Sequence, residues 1–295
     1  MPGRIARDIV ARKTFFALTL AVCLLALPLA VSLFVKSLPV LKSAPLASIL
    51  FSTEWQPMQG KFGMLAFFMG TVTVTALAML IAVPVSLLAA IWLSEYASSR
   101  LRNVLLPMID LLSGIPSVIY GVWGIIILVP SVRWLSHRFG AWSSGYCLLS
   151  GALVLAVMIS PFIIHVAREV LSTVSFGIRD ASLALGATKW QTIKLTVLRK
   201  ALPGIVAAVI LGLSRALGET IAVLMVIGNV PMIPKSLFDP VYPLPALLAN
   251  NYGEMMSIPL YDSALLLSGF ILLVTVLASN LVAKGILRAM QRGQI

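Results

Sequence analysis

Arg179-Asp-Ala-Ser-Leu-Ala-Leu-Gly186-Ala-Thr-Lys-Trp190-Gln-Thr-Ile-Lys-Leu-Thr-Val-Leu-Arg199-Lys-Ala-Leu-Pro-Gly-Ile205 is a polar, basic island between two long apolar segments. Lipid solvates such charges poorly, so the island belongs in water at a membrane surface. Its pattern predicts a short helix, a glycine, and then a basic amphipathic run. That shape suits a membrane subunit which must fit a cleft on a soluble partner.

The surrounding composition says why the flanks are membrane. Of 295 residues, 60% are hydrophobic and only 11% charged, and the mean hydropathy is +1.02. A soluble domain carries about 25% charged residues. The apolar surplus exceeds what one soluble core can hold, so the solvent is lipid. A net charge of +12 would suit nucleic acid in a soluble protein. Here Lys and Arg concentrate in loops between spans, where they set topology instead. Cys23 and Cys147 form no C-x-x-C pair and read as small apolar fillers. The run from Phe15 to Val35 has signal-like flanks but no small-residue cleavage site, and it reads as a retained first helix.

Windows of about 20 apolar residues fall near 15–35, 64–93, 104–130, 147–167, 204–230 and 262–283. The expected fold is therefore all-α, with six transmembrane helices. Six spans put both termini on one side. That side holds Arg4, Arg7, Arg12, Lys13, Arg100, Arg102, Arg168, Arg179, Lys189, Lys194, Arg199, Lys200, Lys284, Arg288 and Arg292. The other holds Lys36, Lys42, Lys61, Arg133, Arg138 and Lys235. The positive-inside bias makes the first side cytoplasmic. The expected organisation is a cytoplasmic N-terminus (1–14), a first helix with an external segment (15–63), a core (64–284) with its cytoplasmic loop at 168–203, and a cytoplasmic C-terminus (285–295). External segments 36–63 and 231–261 carry Trp55, Phe238, Tyr242, Tyr252 and Tyr261. These read either as interface anchors or as a docking platform for an external protein.

Charge inside the spans is scarce, which makes it informative. Arg215 and Glu219 stand i, i+4 and are expected on one helix face of the fifth span. Two readings stay open: a structural ion pair, or an anion pathway in which Arg215 meets substrate and Glu219 balances its charge. The planar guanidinium suits phosphate-like oxyanions. Gly212, Ser214, Ala216 and Gly218 give small-x-x-x-small spacing for close helix contact. Asp110, in the third expected span, is either structural or part of a pathway or gate. Gly114-Ile-Pro116 breaks the same helix and is a candidate hinge. Glu95 is expected to pair with Arg102 on a short cytoplasmic loop. His137 and His165 lack metal-ligand spacing, and neither a nucleophile elbow nor a phosphate-binding G-x-x-x-x-G-K-[ST] loop is present.

Several stretches resemble known permeases. Asp180-Ala181-Ser182, with Gly186 in place and Arg199 where the pattern has proline, is similar to the coupling loop of ABC-importer permeases. Arg215-Ala-Leu-Gly-Glu219-Thr, with Ala222-Val-Leu-Met-Val-Ile-Gly-Asn229, resembles the fifth helix of the permease subunits of bacterial phosphate ABC importers. Phe62-Gly-Met-Leu, Gly70-Thr71, Leu93-Ser-Glu95-Tyr96-Ala97, Leu112-Ser-Gly114-Ile-Pro116-Ser-Val-Ile-Tyr120-Gly121 and Ala184-Leu-Gly186-Ala187-Thr-Lys189-Trp190 agree. The resemblance spans about residues 60–290, and Gly228-Asn229 with Ser236-Leu-Phe238-Asp-Pro240 looks like the PstC-type rather than the PstA-type subunit.

It implies a type I ABC-importer permease in the bacterial inner membrane, carrying inorganic phosphate. The implied partners are a homologous PstA-type subunit, two ATPase subunits and an external phosphate-binding protein, with lipid around the chain and no nucleic acid. ATP and magnesium would bind the ATPases, leaving this chain without cofactor or catalytic site. Asp180, Ala181, Gly186, Ala187, Lys189 and Trp190 are the implied ATPase-coupling residues. Arg215, Glu219 and Asp110 are candidates for the substrate pathway, and Gly114, Pro116, Gly212 and Gly218 for packing or hinge. Rival readings are another oxyanion (molybdate, sulfate, a phosphonate), an ATPase-independent secondary transporter or channel, and a membrane-embedded enzyme.

Overall fold

The computed structural model describes the backbone of residues 2–254 and 257–292, with side chains over 10–254 and 257–289. Arg4, Arg7 and Arg292 of the topology argument have side chains outside that range. The elements run α1 (Pro2–Leu24), α2 (Ala26–Ser43), α3 (Leu46–Phe51), a hairpin of β1 (Trp55–Gln56) and β2 (Lys61–Phe62), α4 (Leu65–Glu95) and α5 (Ser99–Gly114). They continue with α6 (Ser117–Trp123), a π-helical segment Gly124–Leu128, α7 (Val129–Arg138), α8 (Leu148–Ser172) and α9 (Phe176–Ala184). Then come α10 (Lys189–Gln191), a second π segment Thr192–Val197, α11 (Leu198–Leu217), α12 (Ile221–Leu224), α13 (Leu244–Asn251) and α14 (Tyr261–Arg292).

Six stretches among the described residues are long and apolar enough to span a bilayer: Val10–Ser43, Leu65–Glu95, Ser117–Arg138, Leu148–Ser172, Lys189–Leu217 and Tyr261–Ala289. The chain is a multi-pass, all-α membrane protein. The boundaries at 14/15 and 284/285 fall inside continuous helices rather than at junctions.

Two spans differ from expectation. The third lies at Ser117–Arg138, not 104–130. Proline disfavours helical geometry at the residue before it, and Ile115 ahead of Pro116 is extended, with ψ 129°. That break turns residues 99–114 into a separate helix with no buried residue, laid against α8. Tyr120 bridges the break, its hydroxyl donating to the Leu112 carbonyl at 2.7 Å. The fifth span begins at Lys189 and stops at Leu217, where Gly218 caps it, instead of running through 230.

Helix α8 is the hub, with 56% of its apolar window buried against none for the N-terminal rod Val10–Ser43. On α4, Val74, Ala78, Ala82, Ser86 and Ala90 recur every four residues and are all buried. Small residues at that spacing let helices approach closely, and the Ser86 hydroxyl bonds the Ser160 carbonyl of α8 at 3.3 Å. On α11, Ala201, Ile205, Ala208, Gly212 and Ala216 form a buried stripe at three- and four-residue spacing. A Cβ on Gly212 would sit 2.7 Å from Ile163 of α8, so a larger residue has no room there. Gly218 has only its own helix's carbonyls within 4 Å of such a Cβ. It ends the helix rather than packing it.

The segments expected to be external build a packed aromatic cap. Trp55, Phe62, Phe67, Tyr242 and Tyr261 interlock with ring centroids 5.0–6.1 Å apart, while Tyr252 alone of the expected aromatics is exposed. The hairpin beside them is closed by Lys61, whose ammonium holds the Glu54 carboxyl below the usual carboxylate range. Helix α13 inserts Leu244 and Leu247 into this cluster. Its Leu244 N–H donates to the Thr71 hydroxyl of α4 at 2.8 Å, in a buried setting. Thr71→Val keeps the shape and strands that donor, which costs about 1–3 kcal/mol. Thermal unfolding in detergent should therefore move down by several degrees, whereas an unchanged midpoint would show that α13 is not held there.

Candidate functional site

The polar island folds as two short helices around a glycine turn. Ser175 caps α9, its hydroxyl accepting the Gly177 N–H at 3.2 Å. The helix ends at a left-handed residue, Gly186, with φ +82°. This is the usual glycine helix stop; the Gly186 and Ala187 N–H groups bond the Leu183 and Ser182 carbonyls. Thr188 and Gln191 then form a reciprocal capping box at 3.3 and 2.8 Å that starts α10. Thr-x-x-Gln is readable in the sequence and explains why the chain turns so sharply here.

Helix α9 buries nothing. Phe176 is 77%, Leu185 89% and Trp190 52% exposed, a set of bare apolar groups on a water-facing segment. Bare apolar groups on such a segment are candidates for contact with a partner. Of the nominated coupling residues, Asp180, Ala181, Gly186, Lys189 and Trp190 are exposed and Ala187 is partly covered.

The back of the island is different. Arg179 Nη2 meets Glu95 Oε1 at 2.8 Å, and Arg179 Nε meets Oε2 at 3.3 Å. The two side chains are only 13% and 8% exposed. Arg179 also donates to the Leu171 carbonyl at 3.0 Å and to the Val174 carbonyl. The expected Glu95–Arg102 pair does not form. Arg102 instead donates to the Leu93, Ser94 and Ala97 carbonyls at 3.0–3.3 Å. The last carbonyls of α4 lack helical partners and carry partial negative charge, so they capture the nearer arginine. No sequence signal links Glu95 to a residue 84 positions away.

A second polar row lies on α8. Phe162 and His165, three residues apart, share one face. Over Phe162 stands Arg215, its guanidinium carbon 5.3 Å from the ring centroid. His165 Nδ1 lies 3.0 Å from Asp110 Oδ1 of α5, both side chains about half exposed. Asp110 thus acquires a partner that sequence spacing did not suggest. Arg215 and Glu219 are not on one helix face, because α11 stops between them. Nor do they pair among the described residues. The Glu219 carboxylate accepts the Ala222 N–H at 3.2 Å at the start of α12, where negative charge is favoured. Arg215 sits exposed in the last turn of an apolar span, held by an aromatic face and free of a carboxylate among the described residues. That is a cation available to an anion.

Gly114 has open space around it and, with Pro116, marks the α5–α6 break. Gly228 and Asn229 shape the turn after α12 with φ +93° and +53°, Asn229 Nδ2 donating to the Leu224 carbonyl at 2.9 Å. No group of three His, Cys, Asp or Glu able to hold a metal occurs among the described residues.

Known proteins resemble this chain in sequence and in fold. The sequence profile of the family described as binding-protein-dependent transport system inner membrane component matches residues 82–294. The phosphate transport system permease protein PstC of Xylella fastidiosa (strain 9a5c) is 40% identical over 260 residues, spanning 83% of this chain and 80% of that protein. PstC of Mesorhizobium japonicum is 37% identical over 296 residues, 92% of this chain and 90% of that protein. A bacterial alginate ABC transporter, solved in complex with its alginate-bound periplasmic protein, shares the fold at TM-score 0.65 and 15% identity, covering 96% of this chain and 97% of that one.

Proposed function

Because this chain belongs to the binding-protein-dependent transport system inner membrane component family, we propose that it is one membrane-spanning half of an ATP-driven importer of inorganic phosphate. The observation that carries the cargo is Arg215: an exposed guanidinium in the last turn of an apolar span, braced on Phe162 and without a carboxylate partner among the described residues. Its planar fork matches a tetrahedral oxyanion. The relatives named for phosphate transport support the same choice.

The partners follow from the two ends. On the cytoplasmic side, the bare α9–Gly186–α10 surface receives one ATPase subunit, and a related PstA-type permease subunit receives a second. This chain lacks a phosphate-binding P-loop, so ATP and its magnesium belong to those subunits. On the outer side, a phosphate-binding protein docks and releases its anion. The excess of basic residues on one side supports both termini lying in the cytoplasm, and the family's description supports a bacterial inner membrane.

In mechanism, ATPase closure moves the island, the bundle tilts, and the anion meets Arg215 between its outward and inward exposures. Reset follows hydrolysis in the partners. Cells lacking the chain should lose high-affinity uptake of labelled phosphate and regain it on complementation. Uptake unchanged by its deletion, with no other phosphate importer present, would remove the proposal.

A further inference from the structure

We propose that the island drives the bundle through the cytoplasmic end of α4, at a two-point joint made by Arg179 with Glu95 and Lys189 with Tyr96. This rests on the reading of the island as the ATPase-coupling surface and says where the motion goes next. Glu95 is the last residue of α4 and Tyr96 its cap. Each is gripped by a cation from a different half of the island, Arg179 from α9 and Lys189 from α10, on either side of Gly186. The Lys189 ammonium stands 4.6 Å from the Tyr96 ring centroid.

The Arg179–Glu95 contact is two-pronged and nearly closed to water. A desolvated, bidentate pair is directional and resists shear far better than an exposed one. Arg179 also binds the Leu171 and Val174 carbonyls, so the end of α8 is tied into the same knot. Helices α4 and α8 pack along their length, and α8 carries Phe162 under Arg215 and His165 against Asp110. A push on α9 therefore reaches the anion face through two rigid, interlocked spans.

The alternative route, directly up the fifth span, runs through the π segment Thr192–Val197. Wider π turns interrupt regular helical bonding and are typical of functional sites inside helices. That segment is the compliant link, and the α4 joint the stiff one. Glu95, Tyr96 and Arg179 are thus positioning residues for transport; none of them touches the anion.

The test uses the complete complex reconstituted in liposomes, with ATP hydrolysis and labelled phosphate import measured together. Glu95→Gln and Tyr96→Leu should leave ATPase co-purification and hydrolysis intact. Phosphate imported per ATP should fall about fivefold or more in Glu95→Gln, in the range of ordinary coupling factors, and less in Tyr96→Leu. If Glu95→Gln fails to assemble, Tyr96→Leu decides alone, since its ring is partly exposed. An unchanged phosphate-to-ATP ratio overturns the joint, as does a loss of ATPase binding that fully accounts for lost uptake. A wild-type complex that imports no phosphate with ATP would instead sink the reading beneath it.

Discussion

Arg215→Ala should cut phosphate uptake roughly 100-fold while the complex assembles normally. Hydrogen bonds to charged groups contribute about 1.5–3 kcal/mol each, and a guanidinium offers a tetrahedral oxyanion two. A loss near 3 kcal/mol corresponds to roughly two decades in rate. Assembly should survive because Arg215 leans on the Phe162 ring and leaves no carboxylate stranded when removed. Arg215→Lys keeps the charge but not the fork, so uptake should fall about tenfold. The measurement is initial uptake rate normalised to complex recovered by affinity purification. Normal uptake by the alanine variant would take Arg215 out of the pathway, and loss of the complex itself would make its role structural.

Gly186→Val should abolish ATP-driven uptake by misdirecting the island. With φ +82° and nothing within 4 Å of a built Cβ, the obstacle is backbone conformation alone. A left-handed residue with a Cβ costs about 1–2 kcal/mol, and a branched one is worse placed still. The turn relaxes by rotating α9 against α10, which changes how the exposed Leu185 and Trp190 are presented together. Because Asn tolerates this conformation, uptake should rank Gly186→Asn, then Gly186→Ala, then Gly186→Val. ATPase co-purification should follow the same order. Equal activity across the series would mean that the turn's shape is not what the partner reads.

What could be read from the chain alone follows from which forces are local. The spans were legible because crossing a bilayer needs only about 20 apolar residues, whatever they pack against. The island was legible for the converse reason, since Arg179 to Lys200 have no place in lipid. Helix ends were harder. Residues 104–114 continue the apolar run toward 130, so Gly114-Ile-Pro116 reads as a break inside one span when it separates two helices. The helix stop at Gly218 likewise undid the i, i+4 pairing of Arg215 with Glu219, although a glycine after Ala-Leu is an ordinary stop signal.

Contacts that depend on packing had no local signature. Asp110 meets His165 and Glu95 meets Arg179 only because α5 and α9 fold back onto α8 and α4. The same applies to α13, whose Leu244 bonds Thr71 from 173 positions away. Gly212 is the instructive middle case. Its small-residue spacing announced a close helix contact, and Ile163 of α8 is what fills it.

The most direct test of the whole account is uptake of labelled phosphate into proteoliposomes holding this chain, its partner permease, the ATPases and the loaded binding protein. Uptake should require ATP, run against a gradient, and resist competition by sulfate, molybdate or phosphonate at equal concentration. Uptake without ATP, or displacement of phosphate by one of those oxyanions, would contradict it.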